Sequence, residues 1–251
     1  MDESGMDGIT EDLLLGGRVR LVQPGKGHRA GTDAVLLAAS APLKPGDVVV
    51  DVGAATGAVG LMAAAREKGG RFVFVERDPH LAELCRRNCR DNGLEGELAV
   101  ADVLDKGSRL AVGLNPDSAD LVLTNPPFLE EGQARISPDR GRAAAHALPA
   151  GGLEAWLKAC AGLLKPKGRL VLIHRADRVA ECLRILEKWL GGLELRFVHP
   201  SADRPAIRFL VSGIKGSRAP KSILPPLILN GPDGRFTPQA EALHRGEADL
   251  L

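Results

Sequence analysis

The 251-residue sequence has no apolar run that approaches the roughly 20 residues a bilayer-spanning helix needs. Its first twelve residues contain five acidic side chains and no lysine or arginine, the opposite of a secretory signal or transit peptide. We therefore expect no membrane segment, and we expect the protein in the cytoplasm.

Cysteine is also sparse, with four residues and no Cys-x-x-Cys pair or supporting histidine spacing. Cys85 and Cys89 lie one helical turn apart, while Cys160 and Cys182 fall on apolar helical stripes. We predict buried, reduced thiols with no disulfide and no metal site.

The net charge of +1 conceals two basic stretches. Residues 13–31 contain no acidic side chain, and a second basic stretch lies between Arg204 and Lys221. Such runs are most often solvated surface, but their segregation into the two flanks favours a polyanionic partner.

From residue 47 the chain alternates short apolar runs with amphipathic helical patterns, which predicts an α/β fold with helices on both faces of a mostly parallel sheet. The connection between the last two predicted strands is too short for a crossover helix, so one strand must run antiparallel. The seven predicted strands are 48–52, 71–75, 97–100, 119–124, 169–174, 193–198 and 207–214.

Two segments lie outside this repeat. Residues 13–23, with Gly16-Gly17 between apolar runs, predict a hairpin, and residues 32–39 predict a short helix beside it. We divide the chain into an N-terminal extension, 1–46, and a main domain with a C-terminal extension, 47–251. The unpaired hairpin edge is a candidate surface for a homodimer.

The first predicted strand ends in the turn Asp51-Val52-Gly53-Ala54-Ala55-Thr56-Gly57. Its glycines let the backbone approach a ligand, at the sheet edge where open α/β folds bind their ligands. The pattern is not Gly-x-Gly-x-x-Gly, and Asp51 favours a cationic ligand over a pyrophosphate. A nicotinamide oxidoreductase is therefore the weaker alternative.

Polar side chains end four successive predicted strands. Glu76 is placed to accept hydrogen bonds from ribose hydroxyls, and Asp102 to accept a hydrogen bond from an adenine amine. Each residue alone could be a solvated strand-end group. Together Asp51, Glu76, Asp102 and Asn125 converge on one edge of the sheet and predict a ligand site.

Asn125-Pro126-Pro127-Phe128 follows the fourth predicted strand. The prolines remove two backbone donors and bias Asn125 away from the α region. The resulting acceptor cluster beside an aromatic ring suits a planar group with an exocyclic amine. A plain turn is the alternative interpretation of the tetrapeptide.

With these motifs the chain resembles the class I S-adenosylmethionine-dependent methyltransferases, and Asn-Pro-Pro-aromatic resembles those that methylate amines of adenine, cytosine, guanine or glutamine. The flanking segments 27–37, 213–216 and 225–229 are similar to the bacterial valine-tRNA adenine-N6 methyltransferase family. The resemblance implies a Rossmann-like fold, S-adenosylmethionine as cofactor, and tRNA as partner.

The resemblance also implies residue roles. The target base would be held by Asn125, Pro126, Pro127 and Phe128. Hydrogen bonds from the amine to the Asn125 side-chain oxygen and the Pro126 carbonyl would aim its lone pair at the methyl group, so no strong base is needed. Cofactor-binding roles fall on Thr32, Asp33, Asp51, Gly53, Ala54, Gly57, Glu76, Arg77, Asp102, Val103 and Asn125.

RNA contacts are predicted from the basic flanks and from the long connection 128–150, whose length is typical of a functional loop. The residues are Arg18, Arg29, Arg135, Arg140, Arg142, Lys215 and Arg218.

Three alternatives stay open at the level of the sequence. The first is a ribosomal RNA guanine methyltransferase. Many adenine-specific members of the family carry tyrosine where this chain has Phe128, and guanine-specific ribosomal RNA enzymes often carry phenylalanine there. A protein-glutamine methyltransferase is the second alternative. The third, from another class, is a non-catalytic RNA-binding module that keeps a vestigial cofactor pocket.

Overall fold

The N-terminal extension forms a hairpin and a helix in the computed structural model, which describes residues 8–25, 29–128, 148 and 152–250. Strands β1 (Ile9–Leu14) and β2 (Val19–Pro24) pair antiparallel as a separate two-stranded sheet. Helix α1 spans Thr32–Ala39. The predicted helix is confirmed, and the hairpin is longer than its apolar pattern indicated.

The main domain alternates strands and helices as predicted. Its elements are β3 (Val48–Val52), α2 (Ala58–Arg66), β4 (Arg71–Glu76), α3 (Pro79–Asp91), β5 (Glu97–Val100), α4 (Lys106–Ala111), β6 (Ala119–Thr124), α5 (Gly152–Leu163), β7 (Leu164–Arg175), α6 (Val179–Leu186), β8 (Leu190–His199), β9 (Arg208–Lys215), β10 (Ser222–Ile223), β11 (Leu227–Ile228) and α7 (Pro238–Arg245).

These strands form one nine-stranded sheet in the order β10-β8-β9-β7-β6-β3-β4-β5, with β11 also paired to β8. Strands β3 to β7 run parallel to one another, and β9 lies antiparallel between β7 and β8. The predicted Rossmann-like sheet with one antiparallel strand is confirmed. Two-residue strands β10 and β11 widen it beyond the seven predicted strands.

Apolar side chains cover both faces of the sheet. On one face Leu36 of α1, Met62 of α2 and Leu243 of α7 are buried together. On the other face Leu157 of α5 and Ile185 of α6 pack over the strands. All four cysteines are buried and free, which confirms the predicted reduced thiols. No helix in the described ranges is long and apolar enough to cross a bilayer.

Some boundaries differ from the predicted ones. Helix α6 ends at Leu186, and strand β8 begins at Leu190 rather than at the predicted residue 193, so that Gly191 lies within the strand. A Cβ on Gly191 would lie 2.1 Å from the carbonyl oxygen of Ser217, so this glycine permits a close backbone approach rather than ending a helix.

Two helices were not predicted. Helix α4 buries none of its six residues, so its sequence carries no apolar stripe. Helix α7 has an N-cap signal that the sequence analysis missed, because the Thr237 hydroxyl accepts a hydrogen bond from the Ala240 amide and Pro238 follows directly.

Two asparagines one turn apart attach α3 to β2. The buried Asn88 accepts from Val22 N at 2.8 Å and donates to Val22 O at 2.8 Å and to Thr56 O at 2.9 Å. The more exposed Asn92 accepts from Arg20 N at 2.9 Å and donates to Arg20 O at 2.7 Å. Asn88 therefore ties the hairpin to the turn that follows β3.

We expect Asn88→Ala to lower the free energy of unfolding by about 3 kcal/mol, because it leaves three buried backbone groups without partners. Asn92→Ala removes a similar pair of bonds where water can replace them, so its cost should be about 1 kcal/mol or less. Urea denaturation of both variants measures the difference. Equal losses would contradict the role assigned to Asn88.

Candidate active site

The turn after β3 has an unusual backbone. Gly53, Ala55 and Gly57 have positive φ angles of 75°, 49° and 85°. A Cβ on Gly57 would lie 2.6 Å from Cys85 Sγ, and one on Gly53 would lie 3.0 Å from the Trp156 ring. The two glycines are thus required by backbone conformation and by packing, and their role in the approach of a ligand stays a prediction.

Asp51 is a buried acid, with 3% of its surface exposed. Its Oδ2 accepts a hydrogen bond from the backbone N–H of Gly60 at 2.9 Å. Burial raises the pKa of Asp51 to about 7; the Gly60 bond opposes this shift and the charge of Glu76 adds to it. A positive charge nearby would favour the ionised form, so the site is suited to a cationic ligand.

Glu76 links two turns at this edge. Its Oε2 accepts from Ala55 N and its Oε1 from Asp78 N, each at 2.9 Å. Asp78 in turn caps α3 by accepting from the amides of His80 and Leu81. The carboxylate of Glu76 is therefore held in place, and each oxygen keeps a further lone pair for a ligand hydroxyl.

A cavity of about 460 Å³ lies at the carboxyl ends of β4 and β5, lined in part by Arg77, Asp102 and Ser108. Asp102 Oδ1 accepts from Leu104 N at 2.8 Å, which fixes the carboxylate beside the cavity. Val103 is 3% exposed and packs into the apolar core, so its side chain does not line this cavity.

Asn125 follows β6 directly, beside the β3 turn. Its Oδ1 is buried and has no hydrogen-bond partner among the described residues. The end of β6 is fixed to β3 because Thr124 Oγ1 donates to Val52 O at 3.0 Å and accepts from Trp156 Nε1 at 2.9 Å. A buried acceptor without a partner is costly, so Asn125 is poised for a donor from a ligand.

Phe128 stands among polar side chains from three elements. The Arg208 guanidinium carbon lies 4.9 Å from the ring centroid, over one face. The His174 ring lies 5.2 Å away at an interplanar angle of 79°. Arg208 Nε also donates to Asp33 Oδ2 at 2.8 Å. Asp33 therefore forms an ion pair with the arginine that covers Phe128. The cofactor-binding roles of Asp33 and Thr32 stay predictions.

Of the four predicted RNA-binding residues that the structure describes, three have intramolecular partners. The Arg18 guanidinium donates to carbonyls of Leu15, Arg245 and Gly246. Arg29 pairs with Asp12 at 2.7 Å, and Lys215 with Asp117 at 2.8 Å.

Arg218 is exposed. Arg135, Arg140 and Arg142 lie outside the described residues. RNA binding by these seven residues stays a prediction.

Sequence reasoning missed His174, Arg208 and the Thr124–Trp156 bond. His174 stands near the end of a predicted strand, so the rule that selected Asp51 and Asn125 could have selected it too. Arg208 begins an antiparallel strand, and its place beside Phe128 has no sequence signal.

The sheet order, the glycine-containing turn after β3 and the acids at the next two strand ends define a class I S-adenosylmethionine-dependent methyltransferase. The profile of the methyltransferase small domain family matches residues 30–196, and the chain belongs to this family.

Similar proteins point the same way. A tRNA1(Val) (adenine(37)-N6)-methyltransferase of Porphyromonas gingivalis is 33% identical over 176 residues, 68% of each chain. A Dickeya chrysanthemi protein of the same name is 27% identical over 226 residues, 86% of each chain.

Solved structures show the same fold. A protein of Agrobacterium tumefaciens, described as a predicted O-methyltransferase, is 31% identical with a TM-score of 0.73, covering 87% of this chain and 98% of that chain. M. jannaschii TYW2 in complex with AdoMet is 17% identical with a TM-score of 0.56, covering 86% and 89%; it shows the fold alone.

S-adenosylmethionine is the cofactor of this enzyme class, and the residues present fit it. The buried acid Asp51, the fixed carboxylate of Glu76 and the cavity beside Asp102 lie along successive strand ends. When bound, the cofactor supplies a methyl group on a sulfonium cation. Among the described residues no group of three or more histidine, cysteine, aspartate or glutamate side chains could hold a metal ion.

Cofactor affinity should rise with pH between 6 and 8, because Asp51 ionises with a pKa of about 7 and attracts the cationic ligand. In Asp51→Asn we expect weaker binding that no longer depends on pH in this range. Calorimetric titration with S-adenosylmethionine measures both effects. An unchanged pH profile in the variant would contradict this assignment.

The raised pKa of Asp51 also predicts how the stability of the cofactor-free protein depends on pH. The folded pKa of Asp51 lies above the unfolded value, so the folded state binds more protons and loses stability as pH rises from about 4 to 7. Asp51→Asn should reduce this loss. Urea denaturation at pH 5.5 and pH 8 compares the two proteins.

Proposed function

We propose that the chain transfers a methyl group from S-adenosylmethionine to the exocyclic amine of adenine in tRNA, forming N6-methyladenosine. The observation that carries the proposal is the buried Oδ1 of Asn125, which has no hydrogen-bond partner among the residues the structure describes and lies beside the turn after β3. The names of the curated relatives supply the substrate class. The first substrate to assay is a valine tRNA with adenine at position 37.

The chemistry of the amine explains why an amide oxygen suffices. The lone pair of an adenine amine is delocalised into the ring, so the nitrogen is a poor nucleophile. Hydrogen bonds from its two N–H groups to Asn125 Oδ1 and to the Pro126 carbonyl would localise the lone pair and direct it at the methyl carbon. The prolines at 126 and 127 would keep this acceptor pair rigid.

A hydroxyl substrate would need different chemistry. O-methylation requires a group that accepts the hydroxyl proton, and an amide oxygen is not such a base. Asn125 instead matches an N–H donor. The acids Asp33 and Asp102 are already engaged, with Arg208 and with the Leu104 amide. The site therefore favours nitrogen over oxygen as the acceptor of the methyl group.

The target base must leave its stack to reach Asn125, which costs a few kcal/mol. Phe128 would offset part of this cost by stacking on the base. Since Arg208 covers one face of the Phe128 ring, the base would use the other face. The cofactor would lie along Asp51, Gly53, Gly57, Glu76 and Asp102.

Two further parts of the proposal concern partners and location. We propose a cytoplasmic location, which a tRNA substrate supports. The hairpin edge presents Leu13, which is 64% exposed, and a homodimer through it stays a prediction.

Incubation of the enzyme with labelled S-adenosylmethionine and unmodified tRNA, followed by nucleoside analysis, tests the function. N6-methyladenosine is the expected product. N2-methylguanosine on ribosomal RNA, or label in protein glutamine, would replace adenine as the target. No methylated product from any of these substrates would leave the chain as an RNA-binding module.

Replacing Asn125 by Ala should lower kcat by about 100-fold or more, because it removes an acceptor aligned with the reacting nitrogen. Cofactor affinity should change less than threefold. Single-turnover methylation and calorimetric titration measure the two quantities. Asn115→Ala, in an exposed loop, is the matched control and should be fully active. Equal activity of the two variants would contradict the proposed role.

A further inference from the structure

His174 is a buried polar residue at the target side of the site. It lies in β7, the strand next to β6, and Thr124 of β6 pairs with Leu172 of β7. Two residues beyond this pair, β7 continues to His174, whereas β6 has ended and the backbone that leaves it has reached Pro126. His174 therefore occupies the same edge of the sheet as the predicted base-binding residues.

Neither ring nitrogen of His174 has a hydrogen-bond partner among the described residues, although the side chain is only 1% exposed. Burial and the positive charges of Arg178 and Arg175 lower the pKa of His174 to about 4. The charge of Asp177 and the nearby Arg175 backbone oppose this shift, but the backbone contact does not meet the distance and angle of a hydrogen bond. The ring is thus neutral at physiological pH and offers one donor and one acceptor.

The ring neighbours of His174 cannot satisfy these two groups. Phe128 lies 5.2 Å away and Phe209 lies 6.4 Å away, measured between ring centroids. Arg208, which covers Phe128, donates to Asp33 and to its neighbour's carbonyl. A buried donor and acceptor left unpaired cost about 1–3 kcal/mol each, which indicates that a ligand or a water completes them.

We propose that His174 is a specificity-determining contact, in which one ring nitrogen hydrogen-bonds to a ring nitrogen of the target adenine stacked on Phe128. The inference rests on the proposed function. Adenine carries acceptor nitrogens around its ring, and the N–H of a neutral imidazole is the complementary donor. Asn125 would then accept a hydrogen bond from the adenine amine, while His174 donates one to a ring nitrogen.

The matched variant is His174→Phe, which keeps an aromatic ring against Phe128 and Phe209 but removes both nitrogens. The melting temperature and cofactor affinity should be unchanged or higher, because no polar group is left buried without a partner. Activity on tRNA should fall about 10- to 100-fold. His174→Gln, which keeps a donor and an acceptor, should recover part of it.

Base analogues separate a direct contact from packing. The target adenosine is replaced in turn by 1-deaza-, 3-deaza- and 7-deazaadenosine, each of which lacks one ring acceptor. For one analogue we expect the wild-type protein to lose about 10-fold more kcat/KM than His174→Phe loses with the same analogue. Intrinsic effects of the analogue on amine reactivity are common to both proteins and cancel.

Phe209→Leu is the packing control, since it alters the surroundings of His174 without touching the nitrogens. It should discriminate between adenosine and the analogues as the wild-type protein does. Equal ratios for wild type and His174→Phe with all three analogues would overturn the inference, and a bound water would then be the only partner of His174. Absence of methyladenosine with every tRNA would overturn the proposed function as well.

Discussion

The parallel direction of five neighbouring strands is the constraint on which the site depends. Val52 of β3 pairs with Val75 of β4 on one side and with Thr124 of β6 on the other. The chain therefore leaves these strands at one edge of the sheet, where the backbone turns and cannot continue the hydrogen-bonded ladder. Gly53, Glu76 and Asn125 therefore come together at this edge. The hydrogen-bonded residues Val52 and Thr124, which directly precede Gly53 and Asn125, are 72 residues apart along the chain.

At this edge the two halves of the site differ in electrostatic character. The side proposed to hold the cofactor contains carboxylates, one of them the buried Asp51, whose charged form a cation would stabilise. The side proposed to hold the target base presents the neutral Asn125 oxygen and His174 ring beside Phe128, where the charge of Arg208 is paired with that of Asp33. A cationic methyl donor and a neutral aromatic amine are complementary to this division, so the same edge can hold both reactants in contact.

Much of the fold was predictable because its signals are local. Apolar runs bounded by turn residues located β3, β5 and β6 to the residue. Elements without an apolar stripe, such as α4, were missed. The start of β8 was predicted three residues too late, because the close backbone approach of Ser217 to Gly191 is not visible in the sequence.

The sequence by itself determined the α/β class, the turn at Asp51 to Gly57 and the Asn-Pro-Pro-Phe cluster, because each follows from residue type and spacing along a few residues. Only the tertiary structure decided that Asp33 pairs with Arg208, that Arg208 covers Phe128, and that the His174 ring is buried beside Phe128 with no hydrogen-bond partner in the described part of the chain. These contacts join α1, β7 and β9, which are adjacent in space but distant along the chain. Whether these side chains are buried or paired depends on elements that meet only in the folded protein, so no local sequence pattern could reveal it.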